Sequence, residues 1–347
     1  MQLKKKEIFM NKEAFLSHYR SMAETIDRLR GDRTIVLLGD SETYRQFLKT
    51  EYGIDDPMII TTVKKKAGDK FTHILDIKNM NDRYFIIVPK HKKTLDMQLR
   101  LYSYGYEDFV DCFFYNHDKI VFDKGVKDYT DGYGNRVNSP SCRVVLDEYV
   151  CNASIDIDES CTFGEDTSIT VKTVGGAEIK IGRKCTFEDN VTFTAFGDGR
   201  ISIGDKTTFV RNTEVTVLAG MTLNIGKDCL FSCEIKIYCG DGHAIYDVAE
   251  RKRINMQNRN NPKNIISIGD HVWAGMRSVI LNRSVIGPSV IIGAGSIVKG
   301  TFPNNCVIAG NPAKIIRKDT TWSAESLRND MTHIPEEYIA LTENDDN

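Results

Sequence analysis

From about residue 144 to about residue 300 the apolar positions of this chain recur with a step of six. The segments FGEDTSI (from Phe163), IGRKCTF (from Ile181), IGDKTTF (from Ile203) and IGKDCLF (from Ile225) align as an apolar residue, a glycine, two polar residues, a small residue and a closing apolar residue. After an interruption come IGDHVWAG from Ile268, IGPSVII from Ile286 and IGAGSIV from Ile292. A step of six, taken three times per turn, is what a three-sided coil requires. Each flat side takes one hexapeptide with its apolar residue inward, and small residues occupy the corners. The fifth column, Thr167, Cys185, Thr207 and Cys229, is small throughout, which gives these cysteines a packing role. The interval from Phe163 to Ile181 is three such steps. Those from Ile181 to Ile203 and from Ile203 to Ile225 are longer, and glycine-bearing loops off the coil edge are read at 175–178 and 196–200, the latter within the first of these longer intervals. One such coil has no partner for its own faces, so stability comes from stacking, each inward Ile, Val or Leu gaining roughly 1.5 to 3 kcal/mol on burial.

The chain ahead of the coils follows a different rhythm. RTIVLLGDSETYRQFLKTEYG reads as a buried strand over 34–38, a turn at 39–41 and a helix to Tyr52. Short apolar runs follow at 58–60, 73–77 and 84–88, then a helical stretch over 94–104 and a last strand near 108–110. Strands alternating with helices predict an α/β domain with a small parallel, Rossmann-like sheet over residues 1–133. The turn at Gly39, Asp40 and Ser41 lies where such sheets take nucleotide or phosphate ligands, and reads equally as a plain strand-to-helix turn with Ser41 as a cap. Residues 134–317 form the all-β solenoid. Residues 318–347 are a tail with a short helix near 324–331 and an acidic, mobile end.

Composition changes little in this picture. At 347 residues the chain suits two domains and a tail. A formal net charge of -2 gives no footprint for nucleic acid. The N-terminal MQLKKKEIFMNKEAFL lacks an apolar stretch behind its charges, and no apolar run long enough to span a bilayer occurs, so the reading is a cytoplasmic protein without a membrane span. The nine cysteines show no paired C-x-x-C spacing for zinc or redox chemistry.

The repeat breaks at CGDGHAIYDVAERKRIN, residues 239–255, where a histidine lies between aspartates and ahead of a basic run. Taken alone, His243 and Asp241 form a polar turn. The coil motifs IGDHVWAGMRSVIL, IGPSVIIGAGSIV and VIAGNPAKIIR, together with this insertion, resemble the hexapeptide-repeat acyltransferases, and in particular the acetyl-CoA-dependent sugar and polysaccharide O-acetyltransferases. The resemblance covers about residues 144–317. It implies a left-handed parallel β-helix with a protruding loop that carries the catalytic histidine.

On that resemblance His243 is the general base, with Asp241 or Asp247 holding its imidazole. Acetyl-CoA is the co-substrate, lying along the coils that carry Trp273, Ala274, Gly275, Ala294 and Gly295, with Lys314 and Arg317 meeting its phosphates. Gly310, Asn311 and Pro312 are expected to form a turn. The basic residues Arg251, Lys252, Arg253, Arg259 and Lys263 either meet an anionic ligand or are simply solvated. His271 is expected at a polar outward position on the surface or lining a cleft. The resemblance further implies a sugar or glycan acceptor in cell-surface glycan synthesis and a homotrimer with active sites between subunits. A zinc enzyme on the same coil would need three histidine ligands, whereas the solenoid domain offers only His243 and His271 before the tail's His333, so no metal is expected. N-acetylation of a nucleotide-linked aminosugar and a non-enzymatic binding scaffold stand as alternatives.

Overall fold

The computed structural model describes residues 23–24, 26–38, 42–61, 72–73, 80, 82–88, 112–114, 119–131, 134–147, 150, 152–172, 176–255, 263–325 and 329–343. The chain divides into two units, residues 1–119 with 131–134, and residues 120–130 with 135–347.

The first unit contains a five-stranded sheet of β1 (Thr34–Leu38), β2 (Ile59–Thr61), β3 (Thr72–His73), β4 (Tyr84–Val88) and β5 (Cys112–Phe114), in the order β3-β2-β1-β4-β5. Every pairing in it is parallel. The central β1 is buried from Ile35 to Leu38, as an apolar run in a parallel sheet should be. Helix α1 (Glu42–Tyr52) follows β1 and buries Phe47 and Leu48. The last strand lies at Cys112–Phe114 rather than near 108–110. The turn at 39–41 and the helix over 94–104 fall outside the described residues. Helices on both faces, which a Rossmann-like arrangement requires, are not seen among the described residues.

The second unit is a parallel β-helix. One coil runs through Glu178–Ile181 on a first face, Thr186–Phe187 on a second and Thr192–Phe196 on a third, and returns to the first face at Arg200–Ile203. On the first face Ile157, Ile181, Ile203, Ile225, Ile268, Ile286 and Phe302 stack in register. The longest step in this column, from Ile225 to Ile268, contains the interruption, and the shortest steps come after it. The first repeat is out of register with the sequence alignment: Phe163 stacks on Phe187 of the second face, and the partner of Ile181 is Ile157. A Phe-Gly pair at the end of a second-face strand imitates the Ile-Gly pair that ends a first-face strand.

Inside, the strand pattern alternates buried and outward residues, and the second face contributes a ladder of phenylalanines. Rings of Phe163, Phe187, Phe209 and Phe231 lie parallel with centroids 4.8, 5.4 and 4.5 Å apart. The corner after the first face explains why cysteine and threonine alternate there. Cys161, Cys185, Thr207 and Cys229 each donate from a Cβ-borne group to a carbonyl of the next coil: Gly182, Gly204, Gly226 and Gly269. Thr167 makes the analogous bond, to Glu188, at the following corner. Burial pushes the thiols of Cys142, Cys229 and Cys239 up to about 12, so they remain protonated, unreactive packing groups. The corner glycines are required by close stacking: a Cβ on Gly204 would lie 2.6 Å from the Gly226 carbonyl carbon.

Antiparallel strands close the stack. Ile120–Phe122 pairs with Arg143–Leu146, and Val126–Thr130 with Arg136–Ser139, at the N-terminal end. At the other end Ala313–Arg317 folds back on Val307–Gly310 through the turn expected at Gly310, Asn311 and Pro312. The short helix expected near 324–331 and the acidic end fall partly outside the described residues. Among the tail's described residues the only helical turn is a 3-10 turn at Glu336–Tyr338, and residues 319–325 and 329–343 lie along the solenoid as a strap that buries Trp322 and Tyr338.

Candidate functional site

The long step between Ile225 and Ile268 holds an arm that leaves the coil after Lys236–Cys239 on the third face and rejoins it at Ile265–Ile268 on the first. Its described part is a small hairpin, Tyr246–Asp247 against Lys252–Arg253. Gly240 opens the arm with φ +138, where a Cβ would lie 2.8 Å from the Leu218 side chain. Three polar residues fix its foot. Asn282, from the next coil, donates to Asp241 Oδ1 at 2.9 Å, and Asn255 donates to Asp241 Oδ2 at 3.1 Å and to the His243 carbonyl at 2.7 Å. The Asn255 side-chain oxygen in turn accepts from the Ile245 amide and from Arg253 Nε.

His243 is thereby held through its backbone while its side chain stays exposed. Asp241 anchors the arm to the coil, and Asp247 Oδ1 accepts the Glu250 amide in the hairpin turn. Among the described residues no hydrogen bond joins the His243 ring to either aspartate. Asn255 and Asn282, both buried, were not singled out from the sequence. The only signal for them is that each is a polar residue where an apolar or small one would suit a buried position.

The other candidates lie on the second face. Trp273 is partly exposed between Leu230 and Ile291, and donates from its indole to Ser232 Oγ at 3.2 Å. Ala274 points into the core, and Gly275 lies directly beneath Ala294, so neither presents a side chain to a groove. Ala294 and Gly295 are exposed at the next corner, where a Cβ on Gly295 would meet nothing within 4 Å. Lys314 and Arg317 are exposed on the closing strand of the same sheet, three strands from Trp273, a separation of about 14 Å at ordinary strand spacing. Arg251 and Lys252 are exposed on the hairpin, whereas Arg259 lies outside the described residues. Among the described residues no cluster of three or more His, Cys, Asp or Glu side chains is arranged to hold a metal ion, and no helix is long and apolar enough to cross a membrane.

His271 departs from expectation. It is 5% exposed, its ring lying between those of Trp322 and Tyr338 with centroids 4.4 and 4.2 Å away. An outward position of the hexapeptide is solvated only if nothing covers it, and here the strap does.

Residues 266–300 match the family described as bacterial transferase hexapeptide (six repeats). The chain is 37% identical over 101 residues to the polysialic acid O-acetyltransferase of Escherichia coli O1:K1 / APEC, a match covering 29% of this chain and 31% of that protein. It is 35% identical over 100 residues to the putative lipopolysaccharide biosynthesis O-acetyl transferase WbbJ of Escherichia coli strain K12, covering 28% and 50%. The chain thus spans at most half the length of these two relatives. Among solved structures, the polysialic acid O-acetyltransferase OatWY aligns at 27% identity and a TM-score of 0.43, over 55% of this chain and 97% of that one. The resemblance to hexapeptide-repeat acyltransferases is borne out: the second unit is a hexapeptide-repeat solenoid whose relatives carry O-acetyltransferase names.

Proposed function

We propose that the chain transfers an acetyl group from acetyl-CoA to a hydroxyl of a sugar in the synthesis of a cell-surface glycan, with His243 as general base. The observation that carries this reading is an exposed histidine, fixed through its backbone by Asn255, on an arm that interrupts a hexapeptide coil. The relatives' names, which specify O-acetyl transfer to polysialic acid and in lipopolysaccharide biosynthesis, supply the chemistry and the acceptor class. A cytoplasmic setting goes with the donor.

The imidazole of His243 takes the proton of the acceptor hydroxyl as its oxygen attacks the thioester carbonyl. The tetrahedral oxyanion then collapses and the thiolate leaves. Histidine suits this task near neutrality, and general-base catalysis contributes about 100-fold to 10,000-fold. Lys314 and Arg317 offer cations for the phosphates of CoA, and Trp273, Ala294 and Gly295 offer surface for its arm, with Ala274 and Gly275 packing beneath. Asp241 or Asp247 is assigned the orienting role once the acceptor is in place.

The arm leaves the corner between the third and first faces, whereas Trp273, Lys314 and Arg317 share the second face, which lies opposite that corner. We therefore place the working site between subunits of a homotrimer, the arm of one reaching the second face of its neighbour. The left-handed sense of the coil and a Rossmann-like front unit belong to the same reading.

Acetyl transfer to the amine of a nucleotide-linked sugar is a second reading. It is favoured by the reversal of strand order between β1 and β4, since parallel sheets take ligands at such points. Calorimetry with CoA, followed by acetyl-CoA turnover against oligosaccharides and nucleotide aminosugars, separates the readings. CoA binding with turnover on hydroxyl acceptors is the expected result. Turnover on amines alone would move the assignment to N-acetylation, and absence of CoA binding would leave a binding scaffold.

A further inference from the structure

The strap meets the solenoid along a ladder of corner residues in left-handed conformation. Asp228, His271, Ser289 and Asn305, with φ of 56, 55, 57 and 48, occupy equivalent corners of successive coils. Three of them bond the strap directly. Ser289 Oγ and Asn305 Nδ2 donate to the Tyr338 carbonyl at 3.3 and 2.9 Å, and the Thr320 amide donates to the Asn305 carbonyl at 2.9 Å. His271 is the third, and it is held at both ring nitrogens. Its Nδ1 lies 2.8 Å from Asp228 Oδ2 and its Nε2 lies 2.9 Å from the Trp322 carbonyl, while the Trp322 indole donates back to the His271 carbonyl at 2.6 Å.

Both oxygens facing the imidazole are acceptors only, one a carboxylate and one a backbone carbonyl. A neutral ring has a single N–H, so one of the two contacts would set lone pair against lone pair. Only the doubly protonated ring satisfies both. The surroundings suit a cation. Tyr338 and Trp322 present their ring faces to it, and the charged groups packed around it are Asp228 from the preceding coil, Asp270 from its own, and the Lys227–Glu337 pair at 2.9 Å between coil and strap. Asp270 also accepts the Lys227 amide. The Tyr338 hydroxyl is pushed up by burial, with Asp228 and Asp270 adding to the effect.

We propose that His271 is a protonated clasp that fastens the C-terminal strap to the solenoid, so that the strap docks when the imidazole carries both protons and loosens when one is lost. The sign follows from the geometry: the docked state requires the proton, so docking is favoured as pH falls and weakened as pH rises. Trp322 also packs beside Trp273 at 6.0 Å, so a strap that lifts would uncover that part of the second face.

The chain's two tryptophans are these same residues, which makes the clasp directly observable. In full-length Trp273→Phe, Trp322 is the sole indole, and its quenching by acrylamide reports strap docking without reference to catalysis. From about pH 5 to about pH 9 the quenching constant is expected to rise at least about threefold in one single-proton step. In Trp273→Phe/His271→Gln it should be high and flat. Asp228→Asn in the Trp273→Phe background keeps an acceptor but removes the charge that favours the cation, and should move the midpoint to lower pH. A flat wild-type-clasp profile, a step that persists in His271→Gln, or an unmoved midpoint in Asp228→Asn would each overturn the proposal. If His271→Gln loses its β-sheet circular dichroism, the Asp228→Asn midpoint decides alone.

Discussion

The N-terminal and C-terminal coils of the solenoid share one interior and have different exteriors. Inside, the same Ile, Val and Phe columns run from Ile157 to Phe302. Outside, the early coils present Thr170, Thr194 and Thr216 on the third face, Thr186 and Thr208 on the second, and Glu178 paired with Arg200 at 3.1 Å on the first. From the arm onward the corresponding outward positions become Tyr238 and Leu281, then Trp273, Ile291 and Val307, and then Ile265. The steps also shorten, those from Ile268 to Ile286 and from Ile286 to Phe302 lacking the glycine-bearing loops of the early coils. The interior therefore specifies the coil, and the change of exterior goes with other departures from it: apolar outward columns, the arm and the strap all fall in the last coils.

The largest effect should come from the shared interior. Phe209→Ala, in the middle of the ring ladder, is expected to cost about 3 to 5 kcal/mol in denaturant unfolding, while its outward neighbour Thr208→Ala stays within about 0.5 kcal/mol. Equal losses would break the inward and outward assignment. Next comes the contrast along one outward column. Trp273→Asp on the second face, where the neighbour's arm is placed, should weaken subunit association at least about a hundredfold in sedimentation, and Thr208→Asp in the same column should not. A stable, fully active monomer of the unaltered chain would remove the intersubunit site altogether.

Much of this was legible in the sequence because the coil repeats its chemistry locally. The step of six, the small corner column and the interruption at Cys239 are all visible in sequence. The register of the first coil was not, since Phe163-Gly164 ends a second-face strand with the same two-residue signature that Ile181-Gly182 gives the first face. Long-range contacts were hidden for a different reason. Nothing near His271 announces Trp322 or Tyr338, which lie far along the chain in the tail, although a tryptophan and a tyrosine in a tail rich in polar residues are a sign that the tail has something to bury against. The arm's foot is half legible: in sequence Asp241 reads as a partner for His243, and its bonds to Asn255 and Asn282 give it an anchoring role as well.

Two smaller effects sharpen the comparison. Lys314→Ala on the closing strand should weaken CoA binding by about 1.5 to 3 kcal/mol, more at low salt than at high, whereas Lys180→Ala on an early coil should leave calorimetric affinity unchanged. Among the described cysteines, half-exposed Cys233 should react with a thiol reagent at least about tenfold faster than Cys229, whose burial raises it to about 12 and keeps it protonated at neutral pH. A fast-reacting Cys229 in the native protein would mean that the last coils open in solution.

The central claim is that the arm, and His243 on it, carries the chemistry while the coils carry the fold. Its most direct test is the rate of acetyl transfer from acetyl-CoA to a sugar hydroxyl in the unaltered chain and in His243→Ala. Turnover should fall by about 100-fold to 10,000-fold, with unfolding, subunit association and CoA affinity nearly unchanged. Retention of more than about a tenth of the turnover in His243→Ala would contradict the claim and place the base elsewhere.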